Sequence, residues 1–246
     1  MRFIDSHLHL ADSPEPAGLL SYARESDSLY FAASTSRSTS MITLKFAEEN
    51  AERVRAFVGV HPSEAEREGD GGWLAGALEA ATGVGEIGLD PSYSEVGENS
   101  AQLRLFRSQL SAAEQSGKPV QVHSRGAAAQ CLTHLRSHSL RGVLLHWFED
   151  ENLLREACDL GCLVSFGPAL LYSKKLQRMA AACHEDLVLT ETDGPVAFAP
   201  LGGVGGPWLV PSVVFRLAQA LHRSFEDTAV LVGRNAAGYL GARGKG

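Results

Sequence analysis

The chain has 246 residues, with 22 lysines and arginines against 29 aspartates and glutamates, for a formal net charge of −7. That acid excess argues against a generic polyanion binder, and the 44% apolar and 21% charged fractions exclude a disordered, collagenous or coiled-coil chain. An α/β barrel commonly takes about 250 residues, so residues 1–246 are expected to form a single domain.

In chain order, a strand over 3–9 leads to a helix over 16–25, a strand over 29–34 to a helix over 40–53, and a strand over 54–61 to a helix over 72–81. Strands over 84–89 and 119–124 precede helices over 100–116 and 126–137. Strands over 142–147, 162–166 and 187–193 precede helices over 151–160, 173–183 and 212–222. The clearest helix carries Leu103, Phe106, Leu110 and Ala113 at helical spacing behind Ser100 as N-cap. Eight strands, apolar enough to be buried on both faces and alternating with helices, predict a (β/α)8 TIM barrel with a short C-terminal helical extension. A doubly wound open sheet is the alternative. The Gly/Pro-rich stretch 200–211 is expected to loop over the barrel mouth.

Nine histidines stand against four cysteines, and imidazole is both a metal ligand and an acid/base group near neutral pH. Cys131, Cys158, Cys162 and Cys183 lack zinc-knuckle spacing and read as buried, reduced core thiols. The first residues lack the apolar run and cleavage site of a signal peptide, and no stretch has the length of a membrane span. A cytoplasmic protein without membrane association or an obligate protein partner is expected.

In such barrels the active site forms at the C-terminal ends of the strands. His7 and His9 end the first predicted strand, His61 the third, Glu86 lies in the fourth, and His123, His146 and Asp193 lie near the ends of the fifth, sixth and eighth. Alternation along a strand gives Asp5, His7 and His9 one face, so that His7 and His9 can grip one cation, and it turns Gln121, His123 and His146 inward. Taken alone, His146 reads as a core histidine, Asp193 as a loop residue and His61 as the start of a turn at Pro62. Their convergence on one rim argues for a site. Unpaired burial of Glu86 and Asp193 would cost several kcal/mol, and divalent cations among imidazoles would neutralise them.

The segments Asp5-Ser-His7-Leu-His9, Gly59-Val-His61-Pro62, Gly85-Glu86-Ile-Gly88-Leu-Asp90, Pro119-Val-Gln-Val-His123-Ser-Arg125, His146-Trp-Phe and Glu191-Thr-Asp193-Gly-Pro195 resemble, in order and along nearly the whole chain, the TatD family of metal-dependent hydrolases within the amidohydrolase-like barrels. The resemblance implies two divalent ions, one on His7, His9 and Asp193, the other on His123 and His146, with Glu86 bridging. Zinc, manganese or magnesium would suit these ligands. It further implies that a metal-activated water attacks, that Asp193 takes its proton, and that His61 stabilises the phosphoryl or leaving group. Arg125 is a candidate for binding a substrate anion, with a surface ion pair as the alternative.

Nucleases of that family usually follow the last aspartate with an aromatic and a basic stretch, whereas residues 194–207 here carry no charge. Over the rim loops eleven acids, Asp70 among them, face five bases. A long polyanion would not be steered to such a rim. Lys174, Lys175 and Arg178 either hold a few phosphates or form a solvated helix start. The expected function is a phosphodiesterase or exonuclease (DNase) acting on nucleic-acid ends or short oligonucleotides. The alternatives are an amidohydrolase, esterase or deacylase for a small substrate, and a metal-binding accessory protein without turnover.

Overall fold

Strands that are apolar on both faces need cover on both sides, and a closed ring of parallel strands inside a helix layer supplies it. The computed structural model describes residues 1–69, 71–198, 200 and 202–241. Its strands are β1 (Phe3–Leu8), β2 (Ser28–Ala33), β3 (Val54–Val58), β4 (Gly83–Gly88), β5 (Val120–His123), β6 (Val143–Leu145), β7 (Leu163–Phe166) and β8 (Val188–Thr190). They pair in parallel in strict sequence order, as in a barrel and not in a doubly wound sheet. Among the described residues no ladder pairs β8 with β1. That seam is closed by the Asp193 amide donating to His7 O (2.9 Å) and by Thr190 Oγ1 donating to Ile4 O (2.6 Å). Thr192 adds its amide and hydroxyl to the two oxygens of Asp5 at 2.9 and 2.6 Å. Burial pushes the Asp5 carboxyl up to about 8, although the Thr192 bonds oppose the shift.

The helices are α1 (Pro16–Glu25), α2 (Arg37–Glu49), α3 (Ala65–Glu68), α4 (Leu74–Ala77), α5 (Ala101–Ser116), α6 (Ala128–Arg136), α7 (Leu154–Asp159), α8 (Lys174–Ala182), α9 (Val210–Ala220) and α10 (Phe225–Tyr239). The helix expected over 72–81 is reduced to one turn, α4, and a further one-turn helix, α3, precedes it, the two parted by Gly69 and Gly71 at positive φ. In α5 the Ser100 hydroxyl caps the Leu103 amide at 3.1 Å, and Gly117 ends the helix at φ 63°. The 200–211 stretch is not loop throughout. A small antiparallel pair, Ala197–Phe198 with Gly203–Val204, is followed by the turn Pro207–Leu209 and by α9, whose first turn accommodates Pro211 without losing a hydrogen bond. Ala199 and Leu201 lie outside the described residues, as does Asp70.

Helix α10, at 15 residues, forms the C-terminal helical extension. Buried Tyr239 stacks on Phe57 and Phe31 at 5.9 and 6.1 Å, and its hydroxyl donates to Val120 O at the start of β5 (2.7 Å). Tyr239→Phe removes that bond and should cost about 1 kcal/mol, a fall of roughly 2–4 °C in Tm, with activity retained. An unchanged melting curve would show that the hydroxyl contributes nothing. Cys131, Cys162 and Cys183 are buried, and the Cys158 thiol lies 3.7 Å from that of Cys183, across α7 and α8, a proximity the sequence spacing does not reveal. No helix among the described residues is long and apolar enough to cross a membrane.

Candidate active site

Several strands stop short of their predicted ends, and the residues beyond them turn toward one point. The β1–β2 register shifts between Asp5 and Leu8, and His9 leaves the strand at φ −100°, so the His7 and His9 rings meet edge to face at 5.1 Å. Asp5, expected on their face, is drawn instead to Thr192 across the seam. His61 lies past β3 and caps the turn Pro62–Glu64. Trp147 (φ 42°) and Asp193 (φ 54°) bend the chain after β6 and β8. Gly88, at φ 148°, lets β4 close on β5, since a Cβ there would stand 1.9 Å from His123 O.

The centre is Glu86, only 2% exposed. Its Oε1 lies 2.7 Å from His123 Nδ1, 2.9 Å from His146 Nε2 and 3.7 Å from His61 Nε2. Oε2 lies 3.3 Å from His9 Nε2 and 3.6 Å from His7 Nε2. Asp193 Oδ1 completes the second group, 3.2 Å from His9 Nε2 and 3.5 Å from His7 Nε2. His146 belongs to both sides, because its ring also stacks on His7 at 3.8 Å. Burial alone would raise the Glu86 carboxyl, but the charge of His146 and bonds from His123 and His146 hold it well below the carboxylate range. Asp193 is likewise lowered, its desolvation outweighed by His9 and His146.

Hydrogen-bond partners fix which ring nitrogens face the centre. Gln121 Nε2 donates to Ser6 O (2.8 Å), so its Oε1, 2.9 Å from His7 Nδ1, must accept. His7 Nδ1 therefore carries the hydrogen, and Nε2 presents a lone pair toward Glu86 and Asp193. His7 Nε2 and Asp193 Oδ1 are buried without a hydrogen-bond partner. Asp90 Oδ2 accepts from His123 Nε2 (2.8 Å), which leaves Nδ1 facing Glu86. Glu191 Oε2 stands 3.5 Å from His146 Nδ1 and leaves Nε2 facing Glu86. Buried imidazole nitrogens thus face buried carboxylates, an arrangement that calls for positive charge between them, from protons on the rings or from cations. His7, His9 and Glu86 offer one set of ligand atoms, His7, His146 and Asp193 a second, and His61, Glu86 and His123 a third, each within 4.8 Å. The donors are nitrogen and oxygen only, which suits zinc or manganese.

Protonation tells the same story. Burial opposes charge on His9, yet bonds and charges from Asp193 and Glu86 lift it to about 10. His146 is raised well above its ordinary value, its desolvation overcome by Glu86 and Glu191. His61 behaves oppositely, pushed down to about 4 chiefly by burial. Its Nδ1 accepts from the Ser63 amide (3.1 Å), so a neutral ring points its Nε2 hydrogen into the site. Arg125 lies at the cavity edge, with Nε donating to Asp90 Oδ2 at 2.9 Å, so the ion pair foreseen as its alternative is present.

Sequence reasoning assigned no role to the residues that orient these rings, namely Gln121, Asp90 and Glu191. It also passed over two buried glutamines of α5. Gln109 clamps the amide and carbonyl of Val60 (2.7 and 3.0 Å), next to His61, and Gln102 clamps those of Asp90 (2.8 and 2.9 Å). Their signal was available: two glutamines seven apart on the apolar stripe of one helix.

An eight-stranded barrel with a carboxylate–imidazole cluster at the strand ends defines an amidohydrolase-like metal-dependent hydrolase. The family profile described as TatD related DNase matches residues 4–241. The Mycobacterium tuberculosis metal-dependent hydrolase TatD is 27% identical over 262 residues, covering 95% of this chain and 96% of its own length. Human deoxyribonuclease TATDN3 is 30% identical over 159 residues, 62% of this chain and 57% of that protein. The crystal structure of YjjV, a TatD homologue from Escherichia coli K12, superposes with a TM-score of 0.83 at 25% identity, covering 96% of this chain and 97% of that one. The chain belongs to the TatD-related DNase family of metal-dependent hydrolases.

Proposed function

We propose that this protein is a binuclear metal-dependent phosphodiesterase that trims nucleic-acid ends. The observation that carries the reading is Glu86, whose two oxygens face different imidazole pairs, so that one carboxylate could serve two metal positions. His7, His9 and Asp193 would hold one ion and His123 and His146 the other, with zinc, manganese or magnesium as candidates. When bound, the pair supplies Lewis acidity toward the phosphoryl oxygens and makes water nucleophilic at neutral pH. The Asp193 carboxylate, kept ionised, accepts the proton of the attacking water. His61 donates its Nε2 hydrogen to the charge that develops on the phosphoryl or leaving oxygen, acting as a neutral donor and not as a charged acid. Gln121 and Asp90 orient the His7 and His123 rings through hydrogen bonds, and the Glu191 carboxylate faces His146 Nδ1 at 3.5 Å.

The name of the human relative, a deoxyribonuclease, supports a nucleic-acid substrate. A small ester or amide is the second reading, favoured because Arg125 and Lys175, the cations lining the cavity, are both paired with carboxylates. The deciding experiment loads the protein with each metal and measures mononucleotide release from single-stranded DNA or RNA beside turnover of small esters and amides. Ester or amide turnover without nucleotide release defeats the nuclease reading. His61→Ala is expected to lower turnover about 10²-fold while metal content stays unchanged, as read by elemental analysis. Equal loss of both would reassign His61 to the metal shell.

A further inference from the structure

The cavity over the cluster has a volume of about 1290 Å³ and extends from His61 and Tyr93 to an acidic wall at Glu149, Asp150 and Glu151. Its cations are already engaged. Arg125 donates from Nε to Asp90, and its guanidinium sits 5.6 Å from the Tyr93 ring centre. Lys175 Nζ donates to Glu149 Oε2 at 3.1 Å, and just outside the cavity Arg178 makes two 3.0 Å bonds to Glu151. A phosphate entering the cavity would have to displace a carboxylate before it gained Arg125 or Lys175. Counterion release, the usual source of affinity for long nucleic acids, is therefore largely unavailable.

Two aromatic rings remain free of that constraint. Tyr93 is 52% exposed and stands 5.4 Å from the His61 ring, edge to face. Trp147 follows His146 directly and lines the same cavity. Its backbone amide is held by Glu191 Oε1 (2.9 Å) and its indole Nε1 by Glu149 Oε1 (2.8 Å). A ring fixed at both ends is a preorganised platform, and base stacking needs no charge.

We infer that the site holds nucleotide ends by base stacking on Trp147 and Tyr93, and that the pairing of the cavity's cations leaves added phosphates nothing to gain, so that strand length adds no affinity; this rests on the phosphodiesterase reading above. Glu149 has two roles, fixing the indole and neutralising Lys175.

The test compares kcat/KM of the metal-loaded full chain on a dinucleotide and on a single-stranded 20-mer between about 50 and 200 mM salt. The two substrates should agree within about threefold per end, with a log–log salt slope no steeper than about −1. Trp147→Ala should raise KM for the dinucleotide about tenfold with kcat nearly kept, and Trp147→Phe should restore it. The Glu149→Gln, Glu151→Gln double variant, which releases Lys175 and Arg178, should improve the 20-mer selectively and steepen its slope. A 20-mer preferred tenfold with a slope near −3, or an unchanged KM in Trp147→Ala, overturns the inference and leaves the phosphodiesterase reading standing. Cleavage of neither substrate, with a small ester still hydrolysed, overturns that reading itself.

Discussion

Glu86→Gln is expected to cut turnover by about 10³-fold and to lower the metal content from about two ions per chain toward one. The amide keeps the volume of the carboxylate and one acceptor oxygen, so the barrel should stay folded and melt near the parent temperature. What it loses is the charge that both imidazole groups face. Its NH2 group would meet ring lone pairs on one side only, so a single oxygen is left for two cation positions. Because Glu86 faces His123 and His146 on one oxygen and His7 and His9 on the other, water entering from the cavity would not restore the lost charge. Glu86→Ala should show the same loss with a lower melting temperature from the cavity. Inductively coupled plasma analysis beside steady-state kinetics checks both; full activity with two ions retained would refute the bridging role.

Metal uptake is expected to release protons and to tighten with pH. In the metal-free protein His9 is protonated up to about 10 and His146 well above its ordinary value, because Glu86, Asp193 and Glu191 stabilise their positive forms. A cation must displace those protons, so its apparent Kd should fall roughly tenfold per pH unit for each proton displaced, from near pH 7 toward 10. The sign for stability is opposite. Both histidines have folded values above the unfolded value of about 6.5, so their contribution to metal-free stability is complete below that value and is lost as pH rises through the folded one. The metal-free protein should therefore lose Tm between about pH 6.5 and 10, while the loaded protein holds it. Calorimetry in buffers of different ionisation enthalpy counts the protons; zero release would remove His9 and His146 from the ligand set.

The barrel was legible because each of its eight strands carries its own apolar run and its own helix, so local signals sufficed. The convergence of His7, His9, His61, Glu86, His123, His146 and Asp193 was legible for a related reason, since parallel strands put their C-terminal ends on one rim. Strand ends were less legible. β6 stops at Leu145 and β8 at Thr190, because the residues beyond them bend out of the ladder to bring His146 and Asp193 into the cluster, and site geometry overrides strand propensity there. The orienting contacts were hidden by sequence distance. Gln121 meets His7 from 114 residues away and Glu191 meets Trp147 from 44, separations at which no local pattern forms. Tyr239 was invisible as a core residue for the same reason, and Gln102 and Gln109 were masked by the apolar periodicity around them.

The seam between β8 and β1 gives the cluster a second meaning. Elsewhere in the ring neighbouring strands are joined by backbone ladders, but His7 on β1 and Asp193 just past β8 flank the seam held by the Asp5–Thr192 bonds and a few others. An ion gripped by both would act as a clasp between the first and last strands of the barrel. Amide exchange in metal-free protein should then be fastest along Ile4–His7 and Thr190–Asp193, so that the ring opens first where the chemistry is done.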